Sequence, residues 1–345
     1  MRITFLAPCK DLSGGIKVIA TYGNKLMELG HQVTIVYPKS RQPLRRRLKR
    51  SLIKAMKNQQ DHLDRFTGQL LAISEFSESQ VPDGDVLIAT AWETAEWSQQ
   101  LSLAKGKKFY FIQGHEVWNG QKERVYNTLK YPMKKITISS WLQRLLTEIS
   151  GDEDITLIPN ASDFRIEPNE PSAKPRVYDV GMTYSTIPNK GSQLGLDAVK
   201  QIAEAHPQLK MVLFGTELPE AELPFNVDMY EKPSQDRIQE IYESTSIWIS
   251  TSYEEGFCLP CLEAMSSGAV VVSTDNKGVR DIVDHEENGF ITPTGDMQML
   301  ADKIDFLLTH HTVWQQMHAA GLEKSLTFSW DDSARSMEQT LGKVA

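Results

Sequence analysis

The residues of this sequence best equipped for chemistry lie between Ser250 and Gly268, in STSYEEGFCLPCLEAMSSG. Glu255 and Glu263 stand eight residues apart, with Gly256 and Phe257 after the first and Pro260 between the two. Proline is favoured in the first turn of a helix, and the unpaired amides at that end make an anion site. A helix starting near Pro260 therefore leaves Glu255 on the preceding loop, projecting toward whatever those amides hold. A carboxylate beside a phosphate repels it unless it hydrogen-bonds hydroxyl groups instead, and sugar or ribose hydroxyls are its natural partners. The plain alternative is a solvated loop acid and a surface helix acid. A second candidate is His115, in Gln113-Gly114-His115-Glu116, directly after the apolar run Phe109-Tyr110-Phe111-Ile112. Its position at a strand end is where ligands gather in parallel α/β folds. His31, next to the helix-ending Gly30, is expected to be structural.

The elements that must position these side chains follow a repeating pattern. Residues 2–7 read as a buried strand, 16–29 as a helix and 32–37 as a second strand; further strands are expected at 85–89, 108–113, 135–139 and 155–158. Short apolar runs separated by helical stretches call for a parallel sheet, because parallel neighbours need crossover connections. The pattern breaks at 165–176, RIEPNEPSAKPR, whose three prolines read as a linker, and then restarts. Strands are expected at 177–182, 210–214, 246–250 and 269–273, and helices at 192–205, 260–267 and 295–308. A chain of 345 residues is longer than one core usually serves. The expected organisation is an N-terminal Rossmann-like domain over 1–165, a second over 166–328, and a terminal helix over 329–345 that can return to the first domain. Two doubly wound sheets facing a central cleft make that cleft the expected site.

The segment Glu255-Gly256-Phe257-Cys258-Leu259-Pro260-Cys261-Leu262-Glu263-Ala264-Met265 resembles the E-x7-E motif of retaining family 4 glycosyltransferases, which have the GT-B fold. The likeness continues through Gly268–Thr274, Gly278–Glu287 and Asn288-Gly289-Phe290, and includes Ser13-Gly14-Gly15, Ile158-Pro159-Asn160 and Asn189-Lys190-Gly191. It spans almost the whole chain in the family's order, and it is specific for family rather than for substrate. It implies transfer of a sugar from a nucleotide-diphosphate donor to a glycan or lipid-linked acceptor, with retention of configuration and without metal or other cofactor. By the same resemblance, Glu255 contacts donor-sugar hydroxyls and His115 lies near the transferred sugar. The backbone at Gly256, Phe257, Cys258 and Leu259 meets sugar and phosphate, and Glu263 meets the ribose. Gly15 allows close approach of the diphosphate or the acceptor, Gly181 and Gly215 belong to the donor site, and Lys190 neutralises the diphosphate. One departure stands out: where the family has an arginine after the glycine ending the second domain's first strand, this chain has Met182 after Gly181. Arg280, Lys277 and Lys232 are the cations available to compensate.

Charge is unevenly distributed. The net charge is −8, yet residues 1–57 alone carry thirteen Lys/Arg against Asp11 and Glu28. Within them, residues 39–57 hold nine Lys/Arg and no acid, with Leu44, Leu48, Leu52, Ala55 and Met56 at helical spacing. Such a helix suits an anionic membrane surface, with Arg45, Arg46, Arg47, Lys49 and Arg50 as contacts, or else packs its leucines on its own domain. The absence of aromatics in it argues against nucleic acid. No run of about 18 apolar residues spans a membrane. The expectation is a cytoplasmic protein, peripheral at the inner face of the membrane, working in cell-envelope polysaccharide synthesis.

Other classes fit less well. A nicotinamide oxidoreductase needs G-x-G-x-x-G after the first strand and an acid ending the second. The chain has Asp11-Leu12-Ser13-Gly14-Gly15-Ile16 and Tyr37-Pro38-Lys39 there. Cys258 and Cys261 form a C-x-x-C, but zinc wants a second ligand pair and Cys9 stands alone, so neither metal nor redox use is expected. Asp152-Glu153-Asp154 reads as a solvated turn rather than a metal-binding acidic pair. A non-catalytic nucleotide-sugar or glycan-binding protein of the same fold is the rival from another class.

Overall fold

The computed structural model describes residues 1–39, 61–117, 121–166 and 176–342. The membrane-surface candidates Arg45, Arg46, Arg47, Lys49 and Arg50, and most of the proline-rich linker, lie outside the described residues.

The chain divides into two compact units, the first made of residues 1–160 and 330–345, the second of 161–329. In the first, β1 (Arg2–Leu6), α1 (Gly14–Glu28), β2 (Gln32–Pro38), β3 (Gln69–Ile73), β4 (Val86–Ala89) and α2 (Trp92–Gln99) are followed by β5 (Lys107–Ile112), α3 (Lys122–Leu129), β6 (Lys134–Thr137), α4 (Ser140–Ser150) and β7 (Thr156–Leu157). The seven strands are parallel, in the order β3-β2-β1-β4-β5-β6-β7. Helix α1 forms because Ile16, Ile19, Gly23 and Leu26 fall three or four residues apart and bury one stripe against the sheet.

The second unit contains β8 (Tyr178–Tyr184), α5 (Ser192–Ala203), β9 (Lys210–Gly215), β10 (Asn226–Glu231), α6 (Gln235–Glu243), β11 (Thr245–Ser250), α7 (Leu259–Ser266), β12 (Val270–Thr274), β13 (Gly289–Thr292), α8 (Met297–Thr309) and α9 (His311–Ser325). Its strands are also parallel, ordered β10-β9-β8-β11-β12-β13. Parallel strands covered on both faces need apolar side chains on both, which is why VVVST and TSIWIS read as runs rather than alternations.

The last helix, α10 (Trp330–Gly342), belongs to the first unit. Trp330 packs edge-on against Tyr22 of α1 at 5.4 Å, Asp331 pairs with Lys25 at 2.9 Å, and Ser333 donates to the Pro159 carbonyl at 2.7 Å. Glu338 accepts from His31 at 2.9 Å, so His31 serves the fold.

Strands β3, β10 and β13 are not foreseen from the sequence. Residues 289–292, which include Gly289 and Phe290 of the family-like Asn288-Gly289-Phe290, pair with β12 through Val271↔Gly289 to Thr274↔Thr292. Glu153 and Asp154 are in solvent as expected, Asp154 pairing with Lys134, whereas Asp152 is half-buried and pairs with Lys135 at 2.8 Å.

Candidate active site

Each sheet reverses its strand order once, between β1 and β4 in the first unit and between β8 and β11 in the second. Loops diverge at such a switch and leave a crevice at the strand ends. In the second unit, β8 leads to Lys190 and β11 leads to Glu255, so the reversal sets these two residues side by side.

The turn Pro188–Lys190 ends at Gly191, which has φ +59° and leaves no room for a side chain, since a Cβ there would lie 2.2 Å from the Thr251 carbonyl oxygen. Only glycine fits both conditions. Thr251 Oγ1 donates to the Lys190 carbonyl at 3.2 Å, the Asn189 carbonyl accepts from Tyr253 N at 2.8 Å, and Asn189 Nδ2 donates to the Glu254 carbonyl at 2.8 Å. The two loops are thus stitched together by backbone. Lys190 Nζ then reaches Glu255 Oε1 at 2.6 Å, and Ser252 Oγ donates to the same oxygen at 2.7 Å. Burial pulls the Lys190 ammonium down, but the Glu255 carboxylate outweighs it and leaves Lys190 above the ordinary lysine range.

Glu255 is fixed from its own backbone as well, its N–H donating to the Asn276 carbonyl at 2.9 Å. Beyond it, Cys258 adopts φ +67° immediately before α7, and Lys277 on the facing loop adopts φ +69°. Two non-glycine residues in the left-handed region within one loop pair mark a place where the fold holds backbone against its preference. Helix α7 starts at Leu259 with Pro260 in its first turn, so its leading amides point toward the same loop. A small cavity of about 80 Å³ lies here, bordered by Lys190, Glu255, Cys258, Ser250, Met182 and Pro260 among others.

Glu263 is 7% exposed, which removes the surface-acid reading, and Tyr242 of α6 donates its phenol to Glu263 Oε2 at 3.1 Å. Phe257 is buried against Phe328, leaving its backbone as the part able to meet a ligand. Gly215 ends β9, where a Cβ would lie 2.3 Å from the Tyr184 carbonyl oxygen.

Gly181 requires a correction. Expected to end its strand and face the donor, it lies in the middle of β8, paired with Trp248 of β11. A Cβ on it would sit 2.6 Å from the Trp248 ring, so glycine is there to admit a fully buried indole. Met182, in turn, is a core residue at 1% exposure. The three cations considered as substitutes are engaged in ion pairs: Arg280 with Asp275 at 2.8 and 2.5 Å, Lys277 with Glu254 at 2.5 Å, Lys232 with Glu231 at 2.9 Å.

In the first unit the strand ends carry Gly14 and Gly15 after β1, the start of α2 after β4, and His115 after β5. Gln113 Nε2 donates to the Gly15 carbonyl at 3.3 Å, and His115 Nε2 lies 3.3 Å from the Tyr126 hydroxyl. A Cβ on Gly14 would meet nothing within 4 Å, and one on Gly15 would make only ordinary contact with Gln113. Glu116 accepts from Trp92 N at 2.9 Å at the start of α2, and burial together with the Glu93 charge pushes its carboxyl up to about 7. Sequence reasoning did not single out Ser252, Tyr242 or Glu116. Ser252 lies three residues before Glu255, whereas nothing local marks Tyr242.

Residues 165–324 match the family model described as "Glycosyl transferases group 1". The matched stretch takes in most of the second unit, residues 161–329. Over 105 residues, 30% of this chain, the sequence is 31% identical to the D-inositol 3-phosphate glycosyltransferase of Corynebacterium diphtheriae, of which that stretch covers 25%. The chain therefore spans about a quarter of the length of that curated relative. The fold resembles solved structures along almost the entire chain. Sucrose-phosphate synthase of Thermosynechococcus elongatus gives a TM-score of 0.74 at 16% identity, covering 99% of this chain and 98% of that one. HepE of Anabaena, solved in complex with UDP and glucose, gives 0.77 at 18%, covering 99% and 100%. Both units are α/β domains with parallel sheets, of the GT-B class.

Proposed function

We propose that this protein is a retaining, metal-independent glycosyltransferase of family 4 that moves a sugar from a nucleoside-diphosphate donor to a glycan or lipid-linked acceptor. The observation that carries the reading is the Lys190–Glu255–Ser252 constellation at the switch point of the second unit, facing the first amides of α7. An ammonium and a helix N-terminus converging on one cavity are suited to a diphosphate, and they act most strongly as negative charge builds on it during departure. Without a donor, Lys190 and Glu255 satisfy each other. With one, Lys190 turns to the diphosphate and Glu255 is released to the sugar hydroxyls. Glu263, held by Tyr242, is suited to accept from ribose hydroxyls. Gly15 of the first unit is assigned to the diphosphate or the acceptor, and His115 to the transferred sugar. Retention needs no separate base in this scheme, because the departing phosphate takes the proton of the acceptor hydroxyl.

The ligands in the HepE complex, UDP and glucose, favour a uridine diphosphate sugar as the first donor to try. Cell-envelope polysaccharide synthesis and contact with anionic lipid through residues 39–57 are the proposed setting, supported by the run of nine basic residues. Among the described residues no helix is long and apolar enough to cross a membrane. The rival, a non-catalytic sugar-nucleotide binder, draws support from Met182 standing where the family has an arginine. A thermal-shift panel of UDP, GDP, dTDP and ADP sugars on wild type and Glu263→Ala, followed by turnover of the stabilising donor, tests the proposal. Selective stabilisation lost in the variant, with sugar released or transferred, is the expected result. Binding without turnover supports the rival, and a flat response to every donor overturns both.

A further inference from the structure

The C-x-x-C pair has no part in that mechanism, yet its geometry is specific. Cys258 Sγ and Cys261 Sγ lie 2.9 Å apart, one turn along the chain, with Cys261 N donating to the Cys258 carbonyl at 3.0 Å. Ser250 Oγ and Asn276 Nδ2 approach Cys258 Sγ at 3.5 and 3.4 Å. Asn276 is itself fully buried and held in place, its Oδ1 accepting from Val279 N at 2.9 Å. No group of three or more His, Cys, Asp or Glu able to hold a metal occurs among the described residues. The sulfur atoms are 3% and 0% exposed by residue, so bulky reagents cannot reach them, but Cys258 borders the cavity of about 80 Å³ that also holds Lys190 and Glu255. A molecule the size of hydrogen peroxide fits such a space.

We propose that Cys258 and Cys261 are a peroxide-reactive dithiol, and that their oxidation to a disulfide shuts the donor site. The second clause rests on the donor-site reading above; the first does not. The two thiols are unequal. The hydrogen bond from Cys261, helped by Ser250 and Asn276, holds Cys258 below the ordinary thiol range against its burial. Cys261 is pushed well up by burial and by its neighbour. Cys258 is therefore the thiolate that attacks. Its sulfur takes one peroxide oxygen, the O–O bond breaks, and a sulfenic acid forms at Cys258 with release of hydroxide. Cys261 then gives up its proton as its sulfur attacks Cys258 Sγ, the S–O bond breaks, and the hydroxyl leaves as water with that proton. The hydroxide of the first step takes the proton Cys258 had lost. Two thiols and one peroxide become one disulfide and two waters. The new bond draws Cys258, already in a left-handed conformation, away from Asn276 and Ser250 and twists the backbone just ahead of the α7 amides.

Cys9 is the internal control, because burial and Asp11 push its thiol up to about 12. The test treats the reduced full-length protein with equimolar hydrogen peroxide, alkylates it while unfolding it in denaturant, and reads peptide masses, with UDP and GDP affinity measured before and after on the folded protein. The expected result is a peptide two mass units lighter that carries both cysteines unalkylated, Cys9 still alkylated, nucleotide affinity weakened tenfold or more, and full recovery with a thiol reductant. In Cys261→Ala, unfolding in dimedone directly after the peroxide step is expected to trap a sulfenic acid at Cys258. Alkylation of both cysteines after peroxide, or oxidation of Cys258 beyond the sulfenic state without a disulfide, overturns the dithiol. A disulfide that leaves nucleotide affinity unchanged overturns the closure. If the reduced protein binds neither nucleotide, the donor-site reading and the closure fall together, and the masses still decide the dithiol.

Discussion

The two units place candidate residues at equivalent ends of equivalent sheets, but they prepare them differently. In the second unit Lys190, Glu255 and Glu263 are each held by a named partner, and the loops bearing them are locked by Gly191 and by the left-handed Cys258 and Lys277. In the first, Gly14 and Gly15 have room for a side chain, and His115 lies 3.3 Å from the Tyr126 hydroxyl. In the proposed reading the donor half is held by packed partners before any ligand arrives, whereas the glycine loop of the other half keeps open room beside Gly14 and Gly15. Preorganised charge is the larger catalytic lever, so the two halves should respond differently to mutation.

The greatest effect is expected at Lys190. Lys190→Ala should lower kcat/KM for the stabilising donor roughly 100- to 1000-fold, the range seen when one preorganised stabilising group is lost. Its melting temperature should fall only slightly, since Lys190 is 39% exposed and solvent screens the pair to about 1 kcal/mol or less. His115→Ala should cost less activity and leave melting unchanged. If the two variants lose activity equally, the contrast between a built half and an open half is wrong.

Two glycines sharpen the contrast. Gly181→Ala forces a methyl group into the Trp248 ring and should destabilise by about 1–3 kcal/mol, with donor affinity unchanged wherever the protein is still folded. Gly15→Ala should do the reverse: an unshifted melting curve and an activity loss of about tenfold, because only a bound ligand needs that space. Calorimetry beside steady-state kinetics separates the outcomes, and equal melting loss at both positions would remove the argument for Gly15.

The same contrast explains what the sequence could reveal. Glu255, Pro260 and Glu263 were legible because a helix start and its flanking acids lie within one short segment, and VVVST and TSIWIS because buried parallel strands are continuously apolar. Gly181 was misread because a glycine near a strand end looks alike whether it faces a ligand or an indole, and the indole comes from Trp248, 67 positions along the chain. Strand β10, NVDMYE, was missed because an edge strand that is only partly buried carries polar residues and loses the apolar run. Tyr242 was invisible for the same reason as Trp248: its partner Glu263 is brought near by packing of α6 on α7, which no local spacing encodes.

Tyr242→Phe is expected to act more gently, through Glu263 alone. Losing one hydrogen bond to a carboxylate typically costs about 1.5 kcal/mol, roughly tenfold. The loss should appear in the affinity for a ribose nucleotide and be much smaller for its 2′-deoxy analogue, with kcat little changed. A uniform loss for both nucleotides would assign Tyr242 to the core and not to the ribose.

The smallest effect belongs to Glu116 in the open unit, and it is read as a slope against pH. Its carboxyl titrates near 7 in the folded chain against an ordinary 4.5, with burial the main cause, the Glu93 charge adding to it and the Trp92 amide opposing it. Between those values the folded state holds a proton that the unfolded state has released. Stability must therefore fall as pH rises from about 4.5 to about 7 and level off above. Glu116→Gln removes the titration while keeping an acceptor for the Trp92 amide, so its stability should lack this slope and exceed wild type above pH 7 by on the order of 1 kcal/mol. Urea melts of both proteins at pH 5, 6, 7 and 8 measure it. Parallel curves would mean that Glu116 is ionised throughout and that the strand ends of the first unit are more open to water than its contacts with Trp92 and Glu93 imply.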